Sequence, residues 1–116
     1  MARRLGRGEV WLHRFEQPDK RRPVVVLTRS SVIPFLESVL VAPITSTIRG
    51  LPSEVLLGLE HGMKGPCAVN LDNVRPVRKT DLEAYVATLP SPLMTSICTA
   101  LQVAVGCDAP GWQAER

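Results

Sequence analysis

Every apolar run in this chain except the last is short, β-branched and bounded by turn residues. The runs are GEVWLHRF (8–15), VVVL (24–27), VLVAPITS (39–46), EVLLGL (54–59) and CAVNLDNVRPV (67–77). None has the 3.6-residue period of an amphipathic helix, and valine, isoleucine and tryptophan suit a pleated surface. Gly- and Pro-bearing stretches separate them. No segment between them is long enough for a crossover helix, so the five or six strands predicted here must pair antiparallel. VVVL reads as buried on both faces. The polar stretch EQPDKRRP (16–23) reads as a turn or loop, which places Arg21 and Arg22 at the mouth of the second strand and Pro23 at its start. Pro43 is expected to break the third run, SSVIPFLES (30–38) to form a short helical turn limited by Pro34, TDLEAY (80–85) another, and Asp72-Asn73 a tight turn or bulge.

The last run differs. Leu93, Ile97, Leu101 and Val105 recur every fourth residue with Met94, Cys98 and Ala104 beside them, the stripe of an amphipathic helix. Ser91-Pro92 supplies a hydroxyl cap followed by proline in the first turn, and Gly106 is placed to end the helix. The expected fold class is therefore mainly β (α+β): a small antiparallel sheet with a C-terminal amphipathic helix packed on it. At 116 residues the chain is long enough for one domain, with a core over about 7–106 and a loose tail at 107–116.

No apolar run approaches the roughly 20 residues of a membrane span. MARRLGRGEVWLHR has no apolar block behind its arginines, so no secretory signal is read there and the cytoplasm is the expected location. Cys67, Cys98 and Cys107 are odd in number and have no C-x-x-C spacing, and His13 and His61 lie far apart, so neither a disulfide framework nor a metal site is expected. Catalytic and nucleotide-binding signatures such as G-x-S-x-G, G-x-x-x-x-G-K and H-E-x-x-H are absent. Up to Arg29 there are eight Lys/Arg against three Asp/Glu, while the remainder carries six against eight. That asymmetry suggests a one-sided electropositive surface. On charge alone, scattered solvated arginines are the simpler reading.

Four local constellations go further: RGEVW (7–11), RRPVVVLTR (21–29), VAPITSTIRGLPSEV (41–55) and VNLDNVRPV (69–77), followed by LPSPLMTSICTALQVAVG (89–106). In that order and spacing they closely resemble the MazF/PemK (Kid) family of bacterial toxin ribonucleases. The resemblance covers roughly residues 7–106. It implies a small SH3-like barrel of the CcdB/PemK type, usually a homodimer, and sequence-selective cleavage of single-stranded RNA without metal or other cofactor. Attack by the ribose 2′-hydroxyl would leave a 2′,3′-cyclic phosphate and a 5′-hydroxyl. It also implies a cognate antitoxin with an acidic binding segment.

Carried over residue by residue, Arg22 matches the family's catalytic arginine. A guanidinium stays charged at any working pH, and its planar fork of donors fits phosphate oxygens. Thr45 matches the catalytic threonine, although threonine is also an ordinary strand residue. Asp72 matches an acidic residue that acts as base or substrate contact, and equally reads as a turn aspartate bonding its own backbone. Arg21, Ser46, Thr47, Arg49, Asn70 and Arg75 are the expected RNA contacts. Two features depart from the family: Asn70 stands where relatives carry a basic residue, and the loop before Arg22 is short and lacks histidine. The general base therefore stays open among Glu16, Asp72 and His13. Trp11 reads as a core or dimer contact in preference to a base-stacking platform. Two rivals share the fold: a gyrase-binding toxin of the CcdB kind, and a member that binds RNA or antitoxin without cleaving.

Overall fold

The computed structural model describes residues 5–15 and 20–107, and the hairpin of the first two strands lies at the middle of its sheet. Strands β1 (Glu9–Phe15) and β2 (Lys20–Val26) pair antiparallel, with Val10 opposite Val25, Leu12 opposite Pro23, His13 opposite Arg22 and Arg14 opposite Arg21. The two arginines are thus inside β2, whereas the sequence put them at its mouth. Pairing with β1 carries the strand back past the apolar run, because a ladder needs only backbone groups. Pro23 is tolerated because pairing with the third strand begins only at Val24.

Strands β3 (Ser38–Thr45), β4 (Glu54–Leu57), β5 (Cys67–Asn70), β6 (Arg75–Arg78) and β7 (Leu82–Thr88) bring the total among the described residues to seven. All pair antiparallel, in the order β4-β5-β3-β2-β1-β7, with β6 also on β3. The terminal strands β4 and β7 do not join in this order, so the expected barrel is an open sheet.

Pro43 does not break β3. The strand pairs with β6 over Ser38–Val41 and with β5 from Ile44, so Pro43 falls in the gap between two partners, where an absent N–H costs no bond to either. TDLEAY also departs from expectation: a 3-10 turn covers Lys79–Asp81, and Leu82 begins a strand. Leu, Glu and Ala are good helix formers, but propensity over so short a segment is a weak bias, and the edge of β1 offers this segment backbone pairing from Leu82 to Thr88.

Helix α1 (Ser91–Ala104) is capped by Pro90, whose carbonyl accepts from Leu93 and Met94, so Ser91 is its first residue and not its cap. At the other end Gly106 (φ +78°) donates to Val103 and Cys107 donates to Gln102, closing the helix with a Schellman motif. Met94, Ile97 and Ala100 are buried, with Leu93, Leu101 and Ala104 flanking them; Cys98 and Val105 stay exposed. The helix covers a core of Val10, Val25, Ala42, Ile44, Val69 and Leu71. Val24, Val26, Val39, Val41 and Val77 form a second cluster on the opposite face, against which Trp11 packs. Trp11 also donates to Glu9 at 3.0 Å and meets Tyr85 edge-on, which fits a packing role. Burial pushes the Cys67 thiol above its ordinary range, so it packs as a protonated group.

Candidate nucleic-acid interface

The fork at which β3 exchanges β6 for β5 leaves an opening in the sheet, and a 3-10 turn over Leu71–Asn73 joins the two departing strands beside it. A groove of about 320 Å³ lies there, lined by Arg22, Pro43, Ile44, Thr45, Thr47, Arg49, Asn70, Asn73 and Arg75. Strand alternation accounts for its contents. Arg22 shares a face with Val24 and Val26, and Thr45 shares one with Pro43, which stands opposite Val24. The groove therefore continues the face of the second apolar cluster at the point where its valines give way to polar residues.

Three guanidinium-bearing residues, two threonines and two asparagines line the groove, and no carboxylate does among the described residues. Arg22 has no hydrogen-bond or ion-pair partner among those residues. Thr45 Oγ1 accepts from the Thr47 amide at 3.1 Å, which fixes the side chain at the bend and leaves its O–H available to donate. A concave, positively charged surface with convergent donors suits a polyanion.

Six of the expected residues meet in this groove: Arg22, Thr45, Thr47, Arg49, Asn70 and Arg75. Ser46 is exposed and lies outside it. Arg21 points to the other face, where its guanidinium sits 3.4 Å from Glu83 and shares that carboxylate with Arg14 at 3.6 Å. Asp72 is not in the lining either: its carboxylate accepts from the hydroxyl of buried Ser53 at 2.5 Å, and its amide donates to Asn70 Oδ1 at 2.9 Å. His13 stands opposite Arg22, with its Nδ1 3.2 Å from the Asp81 carbonyl. Two of the three candidate bases are thus engaged by the protein itself, and Glu16 lies outside the described residues. Asn73, read from sequence only as a turn residue, is brought into the groove by the Leu71–Asn73 turn. The signal for it was its place three residues after Asn70 in a tight turn.

Known proteins with this arrangement point one way. Residues 6–105 match the family model described as PemK-like, MazF-like toxin of type II toxin-antitoxin system. A Mycobacterium tuberculosis protein named probable endoribonuclease MazF5 is 49% identical over 105 residues, spanning 88% of this chain and 94% of that protein. Endoribonuclease MazF3 of the same species is 38% identical over 79% of this chain and 89% of its own length. Among solved structures, the M. tuberculosis toxin MazF-mt6 superposes with a TM-score of 0.77 at 33% identity, covering 84% of this chain and 95% of that one. An endoribonuclease from a mycobacterial species, solved with its cognate antitoxin, gives 0.81 at 25% identity over 91% of this chain and 99% of its own. With the family model matching almost the whole described chain, this protein belongs to the PemK-like, MazF-like toxins of type II toxin–antitoxin systems.

Proposed function

We propose that the groove binds single-stranded RNA and that this protein is the toxin of its toxin–antitoxin pair, a metal-independent, sequence-selective endoribonuclease that arrests translation and growth in the cytoplasm. The observation that carries the reading is the convergence of Arg22, which has no partner among the described residues, with Thr45 in a concavity that none of the described carboxylates lines. A base removes the ribose 2′-hydroxyl proton, the oxygen attacks the adjacent phosphorus, and the bond to the 5′-oxygen breaks as that oxygen takes up a proton from water. The ends are a 2′,3′-cyclic phosphate and a 5′-hydroxyl. Arg22 donates to the phosphoryl oxygens as negative charge accumulates on them, and the Thr45 hydroxyl steadies the same group. Arg49 and Arg75 hold flanking phosphates, while Thr47, Asn70 and Asn73 offer hydrogen bonds along the strand. An acidic segment of the antitoxin competes for the same positive surface, and the active form is a homodimer. The mycobacterial relative solved with its antitoxin supports the partner assignment.

The test is incubation of the purified protein with a long RNA and with single-stranded DNA of the same sequence, both in EDTA. RNA is expected to be cut to cyclic-phosphate ends and the DNA to survive, because the attacking oxygen is missing from it. Intact RNA would leave a non-cleaving binder. Arg21, held by an exposed ion pair on the opposite face, acts in the hairpin rather than on RNA. Arg21→Ala is expected to change the cleavage rate less than about twofold and stability by less than about 1 kcal/mol. A tenfold loss of activity in that variant would place Arg21 on the substrate.

A further inference from the structure

The loop that supplies Thr47 and Arg49 to the groove runs from the end of β3 to Glu54, the first residue of β4. Three consecutive amides of this loop converge on one carboxylate. Arg49, Gly50 and Leu51 donate to Glu54 Oε1 at 3.2, 2.9 and 3.3 Å, and Arg49 also reaches Oε2 at 3.4 Å. Gly50 makes this possible with φ +75°, a left-handed conformation that turns successive N–H groups toward a single point. Glu54 is fixed in turn, because its own amide donates to Leu51 and it stands opposite Asn70 in the sheet. The guanidinium of Arg49 makes no hydrogen bond or ion pair among the described residues and faces the groove.

We infer that Glu54 is a positioning residue for the RNA site: its carboxylate gathers the 49–51 amides and thereby holds the Arg49 guanidinium where it meets a substrate phosphate. The inference rests on the RNA reading above and adds a role for an acidic residue that charge alone would place among the opponents of RNA. On charge alone, removing an anion near a phosphate groove tightens RNA binding. The positioning role demands the reverse sign for alanine. It also predicts that glutamine, which loses the charge but keeps the accepting oxygen, rescues the site.

The experiment uses the full chain with an RNA that the wild type cleaves, and the matching single-stranded DNA as an uncleavable binding probe. Arg49→Ala and Glu54→Ala are each expected to raise KM by about tenfold with kcat within about twofold, since a flanking phosphate contact is made equally in ground and transition states. The double variant is expected to be no worse than either single one, because both remove the same contact. The logarithmic salt dependence of probe binding falls by about 0.7 in each, the loss of one phosphate contact on a single strand. Glu54→Gln stays within about twofold of wild type. Glu54→Asp, which keeps the charge and shortens the reach, lies between and serves if the alanine variant does not fold. Unchanged or tighter binding in Glu54→Ala or Glu54→Asp, or multiplicative effects in the double variant, overturns the inference while cleavage by the wild type leaves the RNA reading standing. A wild type that neither cleaves RNA nor binds the probe overturns both.

Discussion

Replacing Arg22 with alanine is expected to slow RNA cleavage by about a hundred- to a thousandfold, the loss found when one preorganised donor to a developing oxyanion is removed. Folding should hardly change. The side chain is exposed and makes no hydrogen bond or ion pair among the described residues, so its removal leaves no buried partner unsatisfied. That combination separates Arg22 from a structural cation. Arg22→Lys is expected to recover only part of the rate, because a point charge cannot replace a planar fork on phosphate. Single-turnover cleavage under saturating protein, with a melting curve of each variant, makes the measurement. An alanine variant that folds normally and cleaves within fivefold of wild type would remove Arg22 from the chemistry.

The largest effect on stability is expected from Leu71→Ala. Leu71 is 1% exposed and belongs to the cluster beneath the helix with Met94, Ile97 and Ala100. It is also the first residue of the turn whose neighbours Asn70 and Asn73 line the groove. Truncation of a fully buried leucine costs about 2–5 kcal/mol through lost burial and the cavity left behind. Urea unfolding should therefore show an earlier midpoint with an unchanged slope. The turn would keep its Ser53–Asp72 and Asn70–Asp72 hydrogen bonds, so activity of the folded fraction is expected to fall far less than for Arg22→Ala. A loss below 1 kcal/mol would mean that the turn settles into the space without needing this anchor.

Much of this was readable in the residues. The VVVL run, the short strands and the helical stripe led to a mainly β, antiparallel molecule, and the resemblance picked out six residues that one groove brings together. What could not be read was long-range. Pro43 reads as a strand breaker until β6 and β5 are seen to leave a gap at that position. TDLEAY has no strand signal of its own and is recruited by the edge of β1. Asp72 and Glu54 carry the charge of catalytic acids, yet their partners are Ser53 and a run of amides. Local sequence shows that a carboxylate is present, and only the fold shows what it is spent on.

The valines of β2 have a consequence for how this protein could drift. Val24, Val25 and Val26 are all fully buried, two on one face and one on the other, so the valines by themselves do little to fix the register of this strand. A slide of one place would bring Arg21 to the groove position of Arg22, but would carry Arg22 to the place of Pro23 on the opposite face and Pro23 to the place of Val24, where pairing with β3 begins. The adjacent arginines are identical in chemistry and differ only in parity, and it is Pro23, with no N–H to offer β3, that holds Arg22 rather than Arg21 in the groove.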